Sequence, residues 1–184
     1  MSAYHFITRW TMEASCEEVY RTLEEVEGLA RWWPSVYLDL RVLEKGKPGG
    51  LGKLAELYTK GWLPYTLRWK FRVTAVDFPN GFSLEAEGDF VGRGIWSFRP
   101  AGEGRCEVTY DWKITAAKPL LKLFTPLLRP IFSANHLWAM RMGEKSLRLE
   151  LLRRQAATPE ERAAIPPPPG PVFPHNLLDN RVLG

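Results

Sequence analysis

Hydrophobic and polar residues alternate along most of the first 115 positions, and this alternation predicts a domain built mainly of β-strands. Residues 4–12 place Tyr4, Phe6, Thr8, Trp10 and Met12 on one side of the chain and the intervening residues on the other, a period typical of a half-buried strand. The same period recurs near 36–44, 52–60, 66–76, 82–90, 93–99 and 105–115. Glycine- and proline-rich turns separate these stretches, so we predict an antiparallel meander of hairpins.

Two short helices are predicted between the first strand and the meander. Ser15 stands three residues before Glu18, and this spacing is typical of a capping box, in which each side chain satisfies a free backbone donor of the other residue. Gly28 is a suitable helix end, and a further turn over 29–33 ends before Pro34 because proline disfavours helix in the residue before it. One bent helix is the alternative interpretation.

A long helix is predicted over roughly 131–154. At about 100° per residue, one narrow arc of this helix collects His136, Met140, Leu147 and Leu151, with Gly143 and Glu144 at its edges. The preceding segment, 119–132, is apolar but contains two prolines, so we expect a short helix and a kinked lead into the long one. A helix that closes over a sheet in this way predicts a lined cavity.

The chain divides into a predicted domain over 1–154 and a tail over 155–184. Pro166 to Pro169 favour an extended left-handed backbone, and we expect this tail to be extended or disordered rather than packed. Its last residues include Leu177, Leu178, Val182 and Leu183. Two alternatives for these side chains stay open: packing on the parent domain, or exchange between subunits of a homodimer.

Composition excludes several classes of protein. The chain has 184 residues, 45% of them hydrophobic and 25% charged, with a net charge of +4, which is ordinary for a soluble globular protein. The chain has 25 basic and 21 acidic side chains. Because these numbers are nearly equal, we expect no concentrated basic patch for nucleic acid. No apolar run reaches the roughly 20 residues that span a bilayer, so we expect no stable membrane insertion. The first residues do not resemble a secretory signal, and we expect a cytoplasmic protein.

No cofactor or metal is predicted. The three histidines lie far apart, and no clustered carboxylates or HxxxH spacing occur. The glycines at 92 and 94 lie between strands without a following helix, so they lack the context of a nucleotide-binding loop. Cys16 and Cys106 belong to no CxxC motif, and we expect free thiols.

The order of elements resembles a known superfamily. A strand, two short helices, a six-strand meander and a long final helix form the layout of the helix-grip fold, and the chain resembles the START-like, polyketide cyclase/dehydrase (SRPBCC) superfamily over residues 4–154. The resemblance rests on this layout and on the stretches Phe6-Ile7-Thr8-Arg9-Trp10, Arg31-Trp32-Trp33-Pro34 and Gly92-Arg93-Gly94-Ile95-Trp96. Asn135-His136 and Met140 to Glu144 resemble a bacterial branch. The resemblance implies an α+β helix-grip fold, with a curved antiparallel sheet of about seven strands around the C-terminal helix.

The resemblance also implies a function. Members of this superfamily bind lipids, polyketides or other hydrophobic molecules between sheet and helix, and some catalyse cyclisation or dehydration there. We therefore expect a hydrophobic or amphipathic small molecule, lipid- or polyketide-like, in an aromatic-lined cavity. The alternative is a cyclase, aromatase or dehydratase that uses His136 as acid or base; whether the protein is an enzyme stays open. The candidate ligand-binding residues are Trp69, Phe71, Trp96, Tyr110, Trp112, Asn135, His136, Met140 and Arg141.

Competing interpretations apply to the polar candidates. A histidine on a buried arc is often held by Asn135, by a strand tyrosine or by a backbone carbonyl, without touching a ligand. Arg141 and Glu144 lie three residues apart and are suited to an ion pair on the rim. Alternatively, the guanidinium of Arg141 turns into the mouth of the cavity and holds a carboxylate or phosphate. Asp39, Glu56 and Tyr58 are weaker catalytic candidates, because their strands are mixed on both faces.

Overall fold

The fold is a seven-stranded antiparallel sheet with helices at its ends and a long helix across it. A computed structural model describes residues 3–116 and 119–172, with side chains for 4–115 and 129–172. The elements in chain order are β1 (Ala3–Met12), α1 (Cys16–Glu24), a 3-10 turn (Val26–Gly28), α2 (Leu29–Trp32), β2 (Tyr37–Glu44), β3 (Leu54–Lys60), β4 (Thr66–Asp77), β5 (Gly81–Gly88), β6 (Phe90–Pro100), β7 (Cys106–Ala116), α3 (Pro119–Gln155) and α4 (Pro159–Ala164).

The sheet confirms the predicted meander. Its strand order is β1-β7-β6-β5-β4-β3-β2, so consecutive strands pair from β2 to β7 and β1 closes the far edge beside β7. In β4 the apolar positions 67, 69, 71 and 73 are buried while the basic positions between them face outward. One face of the sheet therefore forms the core, as the period of two predicts.

The first helix begins where its capping box predicts. The Glu18 amide donates to Ser15 Oγ at 3.2 Å, and the Ser15 amide donates to the Glu18 carboxylate at 2.8 Å. The second short helix ends at Trp32, just before Pro34. The helix-grip class and the two short helices are thus confirmed.

The last long helix starts earlier than predicted. The expected separate short helix over 119–132 is wrong, because α3 runs without a break from Pro119 to Gln155; the kink in its lead stays a prediction. Each proline removes one backbone donor, and the remaining bonds of so long a helix carry it past positions 126 and 130. Met140, Leu147 and Leu151 are buried on one side of α3, as the predicted arc requires.

The tail contains a helix that the sequence analysis assigned to extended chain. Thr158 caps α4 through a reciprocal pair with Glu161, and Pro159 occupies a first-turn position, where its missing donor costs nothing. Beyond α4, Arg153 donates to the carbonyl of Pro166 and Lys60 donates to the carbonyl of Val172. Residues 166–172 therefore run from the end of α3 to β3. The four apolar residues proposed for dimerisation lie outside the described residues.

Candidate functional site

A cavity of about 130 Å³ lies between the inner face of the sheet and α3. Most of its wall is aromatic. The lining residues are Tyr4, Phe6, Trp33, Val36, Tyr37, Thr59, Lys60, Gly61, Tyr65, Leu67, Trp69, Phe90, Tyr110, Trp112, Ile114, Phe132, Asn135, His136, Ala139 and Met140. The wall is therefore suited to an apolar or aromatic molecule, with a few polar groups to orient it.

A stack of three rings joins β1 to α3 at one side of the cavity. Phe6 lies against His136 with ring centroids 4.0 Å apart, and its other ring neighbour is Tyr4, at 5.8 Å. Tyr4 and Phe6 are two residues apart on β1, so both point to the inner face of the sheet. The stack holds the imidazole plane in a fixed orientation at the cavity wall.

Two polar atoms of this stack are buried without a hydrogen-bond partner. Among the described residues, neither the Tyr4 hydroxyl nor His136 Nε2 finds a donor or acceptor. Leaving a polar group buried and unpaired costs roughly 1–3 kcal/mol. Both side chains line the cavity, so an oxygen-bearing molecule held there would restore these bonds.

Burial keeps His136 uncharged. Removal from water lowers the pKa of the imidazole to about 4, because a charged ring loses its hydration. At neutral pH the ring therefore carries one N–H and one lone pair. Such a ring can accept a proton or share a hydrogen bond, but it brings no positive charge to the site. The expected hydrogen bond of His136 to Asn135 is absent among the described contacts.

Asn135 instead fixes the turn between β3 and β4. Its Oδ1 accepts a hydrogen bond from the Leu63 amide at 3.1 Å. A Cβ on Gly61 would lie only 2.1 Å from that same oxygen, so the turn can approach α3 this closely only with glycine at position 61. Because Asn135 and Gly61 both line the cavity, this contact shapes its rim.

Trp33 follows α2 and sits against a glycine of α3. A Cβ on Gly143 would meet the Trp33 ring at 2.2 Å, so the absence of a side chain at 143 creates the space that this indole fills. Trp33 is buried, and its Nε1 has no hydrogen-bond partner among the described residues. Gly143, at the edge of the predicted arc, thus positions a wall of the cavity.

A second cavity of about 60 Å³ lies beside the first. Both cavities share Trp33, Tyr37, Trp69 and Tyr110 in their walls. The Trp69 indole is held by donating to Thr59 Oγ1 at 3.0 Å. Burial raises the pKa of the Tyr37 and Tyr110 phenols well above their usual value, so they stay protonated. These four rings form the partition between the two spaces.

Lys60, which the sequence analysis did not select, also lines the larger cavity. It is only 2% exposed, and burial lowers the pKa of its ammonium. Its Nζ donates to the carbonyl of Val172, so the tail meets β3 at the cavity wall. Thr59 and Lys60 are both buried although they are consecutive. The alternation of buried and exposed residues breaks here, and the sequence pattern alone does not show this.

The structure brings together most of the residues predicted for the site. Trp69, Tyr110, Trp112, Asn135, His136 and Met140 line the larger cavity, while Phe71 and Trp96 line the smaller one. Arg141 is exposed and lines neither. The structure does not place Arg141 in the wall of either cavity, because a step of about 100° from the buried Met140 turns it outward.

The ion pair predicted between Arg141 and Glu144 is also replaced by another. Glu144 pairs with Arg148 at 2.8 Å, because a glutamate four residues before a cation has the better helical geometry. In the described part of the chain, no group of three or more histidine, cysteine or acidic side chains is placed to hold a metal ion. Among those residues, no helix is long and apolar enough to cross a membrane.

The model of the family described as polyketide cyclase/dehydrase and lipid transport matches residues 12–140. No curated protein sequence matches significantly. Protein TTHA0849 of Thermus thermophilus is 21% identical, with a TM-score of 0.65, over 83% of this chain and 100% of its own.

Two further solved structures share the fold. The Zhui aromatase/cyclase of Streptomyces sp. R1128 is 20% identical, with a TM-score of 0.65, over 85% of this chain and 98% of its own. A point mutant of norcoclaurine synthase from Thalictrum flavum, in complex with a transition-state analogue, is 14% identical, with a TM-score of 0.60, over 84% and 98%. At these identities the likeness concerns the fold.

Proposed function

Because the chain belongs to the polyketide cyclase/dehydrase and lipid transport family, we propose that it binds a small aromatic molecule carrying oxygen substituents in the cavity between sheet and α3. The observation that carries this proposal is the pair of buried, unpartnered polar atoms in an aromatic wall, Tyr4 Oη and His136 Nε2, neither of which has a partner among the described residues. The family supports a ligand-binding or cyclase role, and the cavity supports the narrower class of ligand.

The size of the cavity sets the size of the ligand. Its volume of about 130 Å³ is close to the roughly 150 Å³ of an apolar cavity known to hold a benzene ring. One six-membered ring therefore fits the larger space. A molecule with two rings would need the smaller cavity as well. The rings that separate the two cavities would then have to move.

The wall favours a flat ring over a flexible chain. Phe6, Tyr110 and Trp112 are among the aromatic residues that line the cavity, and aromatic pairs contribute about 0.5–1.5 kcal/mol beyond the area they bury. A hydroxyl or carbonyl group on the ligand would meet Tyr4 or His136. We therefore place phenol-like and polyketide-like rings ahead of fatty acyl chains.

The test uses two molecules of nearly equal shape, p-cresol and toluene, titrated by calorimetry into the full-length protein. Because only p-cresol bears a hydroxyl, we expect it to bind about tenfold more tightly, the effect of one good hydrogen bond. Equal affinities, or a preference for toluene, would contradict the proposed polar contact. Binding of neither molecule would contradict the cavity as a ligand site.

Matched variants assign the contact. Tyr4→Phe removes only the hydroxyl, and His136→Phe keeps a ring of similar size against Phe6. We expect these changes to reduce the preference for p-cresol while toluene affinity changes little. Arg141→Ala is the control, because Arg141 is exposed outside both cavities.

A cyclase-type activity is the second candidate function, and the place of His136 in the cavity wall favours it. The ring is uncharged and has a free lone pair at neutral pH, so it can take a proton from a carbon beside a carbonyl. Its pKa of about 4 makes it a weaker base than a free imidazole, so the carbon must be an acidic one, such as a carbon between two carbonyl groups. The test follows deuterium uptake by 1-phenylbutane-1,3-dione at neutral pH. Exchange faster with wild type than with His136→Phe would support an enzyme; equal exchange would leave a binding protein.

A further inference from the structure

The two cysteines of the chain, ninety positions apart, meet at the base of α1. Cys16 is the first residue of α1 and Cys106 is the first residue of β7. Their sulfur atoms lie 2.9 Å apart, and both thiols are free. Neither residue lines either cavity, so the pair has no part in the proposed ligand site.

We propose that Cys16 and Cys106 form a modification site at which a two-electron oxidant such as hydrogen peroxide closes an intramolecular disulfide. The fold already holds the two sulfur atoms closer than ordinary non-bonded contact, and a disulfide forms when a thiol meets an oxidised sulfur within reach. The bond would join α1 to β7 of the same chain and would link no second chain.

The difference in burial between the two thiols sets the order of the steps. Cys16 is partly exposed, whereas Cys106 is fully buried. Burial, and the hydrogen bond with Cys16, raise the pKa of the Cys106 thiol to about 12. Peroxide therefore reaches Cys16 first, and Cys106 stays a protonated thiol until Cys16 has been oxidised.

The chemistry balances in two steps. In the first, the Cys16 thiol loses its proton and its sulfur attacks one oxygen of peroxide; an S–O bond forms, the O–O bond breaks, and the leaving hydroxide takes up that proton as water while Cys16 becomes a sulfenic acid. In the second, the Cys106 sulfur displaces the hydroxyl of that sulfenic acid, the S–S bond forms, and the thiol proton leaves with the hydroxyl as water. Two thiols and one peroxide give one disulfide and two waters.

The cross-link has a structural consequence. It closes a loop of ninety residues, and restricting so long a loop in the unfolded chain stabilises the folded state. Tyr20 and Leu23 of α1 line the smaller cavity, so the bond also holds one wall of that cavity against the sheet. We expect the oxidised protein to melt at a higher temperature than the reduced protein.

The experiment treats reduced full-length protein with one equivalent of hydrogen peroxide, blocks the remaining thiols with iodoacetamide and measures the intact mass. The expected product is a monomer lighter by two hydrogens, unblocked at both cysteines and restored by dithiothreitol. Oxygen adducts without loss of two hydrogens, or a disulfide-linked dimer, would overturn the proposal. Repetition in guanidinium with dimedone present tests the role of the fold: we expect the share of Cys16 trapped as the sulfenic acid to be about tenfold larger there, because the thiols are then free to separate before the second step, and equal shares would overturn the proposal.

Single variants test the order of the steps. In Cys106→Ser we expect the Cys16 sulfenic acid to persist and to be trapped by dimedone. In Cys16→Ser we expect Cys106 to resist peroxide. The Cys16→Ser result decides the order even if serine at the buried position 106 prevents folding, since rapid oxidation of Cys106 alone would overturn it.

Discussion

The Phe6 ring on β1 and the His136 ring on α3 are stacked, with centroids 4.0 Å apart and planes inclined by 20°. This contact joins the two elements furthest apart in the chain that build the cavity. It also buries the imidazole beside apolar carbon, where a proton on the ring is disfavoured. His136 therefore contributes both to the packing of α3 on the sheet and to the polar groups of the cavity.

Acidification should destabilise the wild type through His136. Its pKa is lowered to about 4 in the folded state and lies near 6.5 in the unfolded chain. Between these two pH values the imidazole is protonated in the unfolded chain but not in the folded protein. The free energy of unfolding therefore has its full value above about pH 6.5 and falls as the pH drops towards 4. The total loss is at most about 3 kcal/mol by this linkage.

Urea titrations at several pH values check this dependence. His136→Phe cannot take up the proton, so its free energy of unfolding should fall less steeply than that of the wild type from pH 6.5 to 4. Parallel slopes for the two proteins would show that His136 is not the group responsible.

Gly143→Ala should close part of the cavity. The new Cβ would lie 2.2 Å from the Trp33 ring, which must move because the helix backbone cannot. We expect a loss of roughly 1–3 kcal/mol in unfolding free energy from overpacking, and weaker binding of p-cresol. Gly170→Ala is the control, since its Cβ would meet nothing within 4 Å. Equal behaviour of the two variants would mean that Trp33 is not confined.

The carboxylate of Glu150 should stabilise the contact between α2 and α3. Arg31 donates to both its oxygens at 2.8 and 2.9 Å, and Arg154 adds a bond at 2.9 Å. Burial acts to raise the pKa of Glu150, but these two arginines outweigh it and the pKa is lowered. The stabilisation is thus present above the unfolded carboxyl pKa and is lost as the pH falls through the lower folded value.

Glu150→Gln tests this ion pair. Denaturant unfolding at pH 7 should show a loss of roughly 2 kcal/mol, since the hydrogen bonds lose their charge. The gap between wild type and variant should begin to narrow below about pH 4, where the carboxyl group of the unfolded chain takes up a proton, and should keep narrowing as the pH falls through the lower pKa of the folded state. A gap that stays constant with pH would point to packing rather than charge.

Removal of residues 156–184 should expose Lys60. In the full chain Lys60 is buried and donates to the carbonyl of Val172, so we expect slow acylation by an N-hydroxysuccinimide ester. Truncation removes that contact, and mass spectrometry of peptides should show faster labelling of Lys60. Lys145, which is exposed, should react equally in both proteins.

The same truncation tests whether the tail is exchanged between the subunits of a homodimer. If the tail docks on its own domain, the native mass should fall only by the mass of the removed residues. A fall to half the original mass would instead support exchange of the tail between subunits. An unchanged rate of Lys60 labelling would contradict the docking of residues 166–172.

The strands could be predicted from the sequence because each has one buried and one solvent-exposed face. This arrangement appears in the sequence as an alternation of apolar and polar residues. The sequence pattern placed His136 and Met140 on an inward arc for the same reason. It could not pair Phe6 with His136, because that contact depends on how β1 and α3 meet across the whole fold. The sequence pattern did not predict Lys60 in the cavity wall, because Lys60 is buried directly after the buried Thr59, where the alternation ends.

Two predictions from local pattern differ from the structure. The two prolines near the start of α3 were expected to break it, yet the helix continues through them, because each proline removes only one of the many backbone hydrogen bonds of so long a helix. Arg141 at the cavity mouth was the alternative to an ion pair on the rim, and the structure leaves Arg141 exposed outside both cavities, because neighbours in a helix point in different directions. The cavity is therefore more apolar than the sequence alone indicates.

The most direct test of the central claim is an isotope-filtered NOE spectrum of the labelled protein with p-cresol. We predict contacts from the protons of p-cresol to Phe6, Trp112 and Met140, which line one cavity, and their loss in Gly143→Ala. Contacts only to exposed apolar side chains such as Phe78 or Leu152 would contradict the account, because p-cresol would then be bound outside the cavity between sheet and α3.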